Sequence, residues 1–355
     1  MKILSIIGAR PQFIKHAPMS VELRKRDHDD IIIHTGQHYD FNLSDRFFRD
    51  LNLPVPDYNL QVGSNSQGKQ TADIIERTEQ VLVKEKPDVV IVYGDTNSTM
   101  GGAIAASKIH TPLVHVEAGL RSFDRKMPEE LNRIVTDHIS DLLFCPTVNA
   151  FNNLMNEGVC YDNIHLVGDI MVDTYNMFNQ VAEKNIEMVH NLGNGEYYIA
   201  TIHRASNTDD PQNLKNIIEA FEESGKFIIF PMHPRTNKFM HEYGLYHHES
   251  NVLYTEPLGY LEMLCMMKHA KKILTDSGGI QKEAYIMKVP CITLRDTTEW
   301  VETLIDGHNI LVGTNKETII SAINSKQNSY KYEHPFGCGD TAKKIVDILE
   351  EKYGN

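Results

Sequence analysis

Two carboxylates sit where a charge is expensive. Asp95 follows the run Asp88–Tyr93, and Glu117 follows Pro112–Val116, both rich in β-branched and apolar residues. An ionised group at the end of a buried strand is disfavoured. Its pKa can rise toward working pH, which suits it to take up and release a proton. Glu129 or Glu130, at the start of a helical stretch, completes a candidate acid/base set, although helix starts favour acids for dipole reasons alone. The plainer alternative is that Asp95 caps the helix beginning at Thr96 and Glu117 pairs with Arg121. Two other segments suit an anion. In Asp276-Ser277-Gly278-Gly279 the glycines permit close backbone approach, and the helix that follows offers amide N–H groups and a positive dipole end. The same residues also make an ordinary strand-to-helix turn with a Ser or Asp cap. Gly8-Ala9-Arg10 is similar. Arg10 adds a planar fork matched to a diphosphate, unless it is a surface arginine at a helix start. His203 and His233 each follow a strand of the second half, where an imidazole can donate to a phosphate or steady a leaving group.

These residues need elements to carry them. Strands are predicted at Lys2–Ile7, Asp30–His34, Asp88–Tyr93, Pro112–Val116, Leu142–Cys145 and Ile164–Leu166, with helices at Ser66–Lys84, Thr96–Lys108 and Glu129–Ser140 between them. The pattern restarts with strands at Tyr197–Thr201, Phe227–Pro231, Val252–Tyr254, Lys272–Thr275, Cys291–Leu294 and Asn309–Val312, separated by helices such as Asn213–Glu223, Leu258–His269 and Gly279–Met287. Alternation of this kind predicts α/β architecture: two doubly wound, Rossmann-like domains with parallel sheets. The expected division is 1–168 and 169–339, with the last helix, 340–355, free to pack back on the first domain. In such sheets ligands bind beyond the carboxyl ends of the strands. Nearly every strand here delivers a polar, ionisable or glycine residue at that edge, which predicts a cleft between the domains.

Length and composition narrow the function. A chain of 355 residues with 41 % hydrophobic and 23 % charged residues is ordinary globular material for two domains. A net charge of −13 argues against broad nucleic-acid binding. No uncharged apolar stretch reaches the ~20 residues of a membrane span, and the apolar run at Ile3–Ile7 is too short for a signal segment. A cytoplasmic location is expected. Cys145, Cys160, Cys265, Cys291 and Cys338 are scattered, with no CxxC pair, so neither zinc nor disulfides are indicated. His247-His248-Glu249 resembles a metal pair but lacks a third ligand. Asp27-His28-Asp29 reads as a solvated turn within a charged run. Neither a Walker A loop nor GxGxxG occurs, which weakens ATP and NAD readings.

Several long motifs occur in order: Gly8-Ala9-Arg10-Pro11, Gly94-Asp95-Thr96, His115-Val116-Glu117-Ala118-Gly119-Leu120-Arg121, Pro128-Glu129-Glu130 with Asn132-Arg133, Asp276-Ser277-Gly278-Gly279-Ile280-Gln281 with Glu283-Ala284, and Arg295-Asp296-Thr297-Thr298-Glu299. Over about residues 1–345 the chain resembles the non-hydrolysing UDP-N-acetylglucosamine 2-epimerases. The resemblance implies the two-domain fold of the nucleotide-sugar glycosyltransferases, a homodimer, and neither metal nor redox cofactor. It implies removal of the C2 proton as UDP leaves C1, giving a 2-acetamidoglucal, then re-addition of UDP after protonation from the other face. Asp95, Glu117 and Glu129 would carry the protons, and His203 would support the departing diphosphate. Arg10, Ser277, Gly278 and Gly279 match diphosphate contacts, and Glu283 matches the ribose-binding residue. Lys15, Arg133, His233 and Arg295 match further substrate contacts. Gln37 and His38 fit the region where bacterial members bind UDP-N-acetylglucosamine as an activator. Ala9 and Gln12 replace the usual Thr and Glu, and Trp300-Val301-Glu302 replaces Arg-Pro-Glu. Thr35–Asp40 and His203–Thr208 look more like the subgroup acting on UDP-2,3-diacetamido-2,3-dideoxyglucuronate, an alternative substrate. A glycosyltransferase of the same fold is the other enzyme reading.

Overall fold

The computed structural model describes residues 1–37, 54–193, 196–246, 250–326 and 333–354. His38, Tyr39, Asp40 and the His247-His248-Glu249 triplet lie outside the described residues. By its contacts the chain forms two compact units, Met1–Met177 with His334–Asn355, and Phe178–Glu333. The division falls inside the helix Ile170–Ala182. Both units are parallel α/β sheets, as expected from the alternating pattern.

The first unit holds a seven-stranded sheet built from β1 (Lys2–Ile7), β2 (Asp29–His34), β3 (Tyr58–Asn59), β4 (Val89–Tyr93), β5 (Leu113–Val116), β6 (Leu142–Cys145) and β7 (Ile164–Leu166). Their order is β3-β2-β1-β4-β5-β6-β7. Every residue of β4, Val-Val-Ile-Val-Tyr, is buried. A run apolar on both faces marks a strand covered by helices on each side. The order reverses between β1 and β4, which pair through Ser5 and Ile91. That reversal opens a crevice at the carboxyl ends of these two strands. The last helix, Thr341–Tyr353, belongs to this unit. Arg26 Nη1 donates to Glu350 Oε2 at 2.7 Å, and His28 Nε2 meets Glu350 Oε1 at 3.0 Å. The Asp173 carboxylate accepts from the amides of Thr341 (3.2 Å) and Ala342 (3.0 Å), satisfying the helix's first donors. In the Asp27-His28-Asp29 segment the two acids are exposed, as expected of a solvated turn, while the half-buried histidine meets that helix.

The second unit holds β8 (Tyr198–Thr201), β9 (Ile228–Pro231), β10 (Val252–Thr255), β11 (Ile273–Thr275), β12 (Cys291–Thr293) and β13 (Asn309–Leu311), in the order β10-β9-β8-β11-β12-β13. Here the reversal lies between β8 and β11. Phe221, Phe230, Ile217, Leu274 and Ile292 are fully or almost fully buried in its core. Cys145, Cys265 and Cys291 are buried core residues, and none of the five cysteines forms a disulfide. No described helix is long and apolar enough to cross a membrane.

Candidate active site

In the first unit the chemistry gathers at the β1/β4 reversal. Gly8 and Ala9 leave β1 and enter the helix Arg10–Lys25. The Gln12 side-chain oxygen accepts from both their amides, at 2.8 and 3.0 Å, while its nitrogen donates to Tyr93 O at 2.8 Å and Thr99 Oγ1 at 2.9 Å. One buried amide thus ties the end of β1 to the end of β4. Arg10 takes the helix's first position; its side chain lies outside what the structure describes.

Asp95 stands just past β4. Arg133 Nη1 donates to its Oδ2 at 3.0 Å. Asn132 donates to its backbone carbonyl at 2.9 Å. Loss of solvation pushes the Asp95 carboxyl above the usual carboxylate range; Glu117 and Glu129 repel it further, while Arg133 and Lys15 pull it back. Glu117 ends β5 with a left-handed backbone, φ 73°, uncommon for a non-glycine residue. Its buried carboxylate is ion-paired with the buried Lys15 ammonium. Neither plain alternative describes these two residues. Thr96, not Asp95, caps the helix Asn97–Lys108, and Arg121 pairs with Asp137 and Glu157.

Of the two neighbouring acids, Glu130 is committed to the chain. Its carboxylate accepts from the amides of Ser122 and Phe123 and from the Ser122 hydroxyl, each at 2.9 Å. Glu129 is half-buried and close enough to act on Asp95. Gln37 is buried nearby; its side-chain oxygen accepts from Ser98 N (2.9 Å) and Oγ (2.6 Å). The first unit therefore brings together Asp95, Glu117, Lys15 and Arg133, with Glu129 beside them.

The second unit gathers its candidate residues at the β8/β11 reversal. Ser277 precedes the helix Gly278–Met287 without capping it through its hydroxyl. A Cβ at Gly278 would lie 2.1 Å from Glu299 Oε1, so only glycine fits. The fully buried Asp276 organises the neighbourhood. It accepts from the amides of His203 (3.1 Å) and Arg204 (3.0 Å) and from Asn207 Nδ2 (3.1 Å), and lies 3.2 Å from His203 Nδ1. Burial lowers the His203 imidazole below its ordinary value; Asp276 opposes this, and Arg204 and Arg295 reinforce it. The His203 and His233 rings lie 5.6 Å apart, and His233 Nδ1 accepts from Arg235 N at 3.2 Å. Arg295 is buried; Nη2 donates to Glu299 at 2.9 Å, and Nη1 has no hydrogen-bond partner among the described residues. Glu283 lies buried on the helix that Gly278 opens.

Gln12, His115 and Asp137 had no role assigned from the sequence, and Asp276 was read only as part of its turn or as a cap. His115 is a polar residue inside an apolar strand run, which is the signal that marks it. Glu183, Cys265 and His269 bring potential metal-ligand atoms within 4.8 Å of one another. The Lys268 ammonium already pairs with Glu183.

The chain matches the family model of UDP-N-acetylglucosamine 2-epimerase over residues 21–350. It is 55 % identical to a UDP-N-acetylglucosamine 2-epimerase homolog of Methanococcus maripaludis, covering 98 % of this chain and 99 % of that one. It is 44 % identical, with the same coverage, to the UDP-2,3-diacetamido-2,3-dideoxy-D-glucuronate 2-epimerase of Pseudomonas aeruginosa. Its fold matches the crystal structure of Methanocaldococcus jannaschii UDP-GlcNAc 2-epimerase in complex with UDP-GlcNAc and UDP, with TM-score 0.92 and 48 % identity over 99 % of this chain and 100 % of that one. With carboxylates at the strand edge of the first unit, a glycine turn opening a helix at that of the second and these likenesses end to end, the chain belongs to the UDP-N-acetylglucosamine 2-epimerase family.

Proposed function

We propose that the chain interconverts UDP-N-acetylglucosamine and UDP-N-acetylmannosamine by eliminating and re-adding UDP. A carboxylate takes the C2 proton, the C1–O bond breaks with its electron pair going to UDP, and a C1=C2 double bond forms. A second carboxyl then protonates C2 on the opposite face as a UDP oxygen returns to C1. Atoms and charge balance without a redox step. The observation that carries this reading is the pair Asp95 and Glu117, two carboxylates at neighbouring strand ends, each held by its own cation. Groups in distinct environments suit opposite roles in one proton relay. Glu129 is the third acid. Arg10, Lys15 and Arg133 from the first unit, and Ser277, Gly278, Gly279, His233 and Arg295 from the second, are the proposed substrate contacts. Glu283 would hold the ribose and His203 the departing diphosphate. Gln37, whose side-chain oxygen is occupied by Ser98, would contribute through the backbone around it, and His38 would act beside it.

Proton NMR in deuterated water tests this with UDP-N-acetylglucosamine in one tube and UDP-2,3-diacetamido-2,3-dideoxyglucuronate in another. Deuterium at C2 with a manno product in the first supports the reading. Reaction only in the second keeps the chemistry and moves the substrate to the diacetamido-uronate, the reading favoured by the Pseudomonas aeruginosa relative. Free N-acetylmannosamine would indicate hydrolysis instead. No exchange in either tube refutes the epimerase reading for both sugars. A homodimer is the expected assembly, checked by light scattering.

A further inference from the structure

His115 is fully buried within β5, two residues before Glu117. Its Nδ1 lies 2.6 Å from Asp137 Oδ1 and its Nε2 lies 2.7 Å from the carbonyl of Gly94. A carbonyl only accepts hydrogen bonds, so Nε2 must donate. Asp137 is fully buried as well, and its other oxygen accepts from Arg121 Nη1 at 2.7 Å and Gly119 N at 3.1 Å. A carboxylate facing a guanidinium and an amide is ionised and also only accepts, so Nδ1 must donate too. The Asp137 carboxyl is accordingly held below its ordinary value, His115 and Arg121 outweighing burial.

Gly94 is the residue before Asp95. It has φ 63°, and a Cβ there would lie 3.3 Å from Lys15 Nζ. Its amide donates to Val116 O at 3.0 Å, and its carbonyl receives His115 Nε2. The end of β5 thus grips both backbone polar groups of Gly94, the residue that leads into Asp95.

We propose that His115 is a positioning residue for the carboxylate site, donating from both ring nitrogens, and that its Nε2–H to the Gly94 carbonyl fixes where Asp95 stands. The inference rests on the proposed epimerase chemistry and names the residue that sets its geometry. A displacement of about 1 Å at a reacting group costs about 100-fold in rate, so a bond this close to Asp95 matters without touching substrate.

Two substitutions separate the two ring bonds. In Gln the amide nitrogen stands near Nε2, and in Asn near Nδ1. His115→Gln retains the donor to Gly94; His115→Asn retains the donor to Asp137. The expected result is a kcat about 100-fold below wild type for H115N and a loss below about 10-fold for H115Q, with KM little changed in both. Equal losses in the two variants, or a change confined to KM, overturn the proposal. Ring nitrogen NMR of the unaltered protein gives a reading independent of variant folding. Two protonated ring nitrogens on one solvent-shielded histidine, assigned in the unaltered protein by through-space contacts to the Val114 and Val116 amides, are expected, and a bare nitrogen there overturns it. Absence of C2 exchange in the unaltered protein would instead refute the epimerase reading, leaving the ring protons to decide the hydrogen-bond assignment.

Discussion

Gly278→Ala offers the sharpest test of the diphosphate edge. The added methyl would sit 2.1 Å from Glu299 Oε1 and 3.2 Å from Trp300 Nε1. Glu299 cannot simply swing away, because its other oxygen holds Arg295 Nη2 at 2.9 Å. Either the carboxylate lets go of Arg295 or the start of the helix Gly278–Met287 shifts. Overpacking of this kind typically costs about 1–3 kcal/mol. If the strain is relieved by moving the helix start, the same energy is lost from UDP binding, about 5- to 150-fold in Kd. Gly279→Ala is the control for helix propensity, since its Cβ meets only Ser277 Oγ at 3.9 Å. Both substitutions gain at most about 1 kcal/mol of helix propensity, so the difference in melting temperature between them reports the steric term alone. Thermal melts and UDP calorimetry are the assays. A G278A protein that melts with G279A and binds UDP as wild type does would refute the steric argument and the role of this turn together.

Arg133→Met removes the guanidinium that holds Asp95 down, so the acid limb of the kcat–pH profile should move to higher pH; an unmoved limb in a folded variant dissociates Asp95 from the proton transfer. Asp95 carries a raised carboxyl, so wild type is stabilised below the ordinary value of 3.8 and loses that contribution as pH rises through the raised one. Asp95→Asn should therefore gain stability over wild type as pH rises above the ordinary value of 3.8 in urea titrations, and a constant difference would contradict the raised pKa. Asp276→Asn keeps one oxygen for the Arg204 amide and turns an NH₂ toward the His203 amide, which in the wild type donates to both carboxylate oxygens. It should lower stability by about 1–3 kcal/mol and weaken UDP binding, as read by calorimetry; unchanged binding would detach this carboxylate from the proposed anion site.

The strands were legible because buried parallel strands are written as short β-branched runs, and each predicted strand has its counterpart. The missing one, β3, is only Tyr58 and Asn59, too brief and too polar to carry a period. The helix Arg10–Lys25 was equally faint: it contains Pro18 and has little apolar sidedness. Strand order is not a property of any local segment, so the reversals at β1/β4 and β8/β11 could not be read. Partners were the other loss. Glu117 and Arg121 are four apart, a spacing that matters on a helix, but they lie in a turn, and Glu117 instead meets Lys15 from a distant helix. Glu129 and Glu130 are indistinguishable by type and place. Only the chain reversal at Ser122–Phe123 shows that one of them is committed to backbone amides.

Glu117 shows what holds the His115–Arg121 segment in place. Its left-handed backbone stores strain of about 1–3 kcal/mol, which persists only where the surroundings over-determine it. Here they do. The amides of Glu117 and Ala118 both donate to Phe144 O at 3.1 Å, and the Gly119 amide donates to Asp137. Asp137 in turn holds His115 and Arg121, and His115 holds the peptide before Asp95. A glycine at 117 would relieve the strain, but it would remove the carboxylate that the turn exists to aim. The buried polar residues of His115–Arg121 are therefore one device: strand β6 and Asp137 pin the turn, the turn aims Glu117 at Lys15, and the same network sets Asp95. Loosening any member should misplace both carboxylates together, which ties the two groups proposed to move protons to a single rigid support.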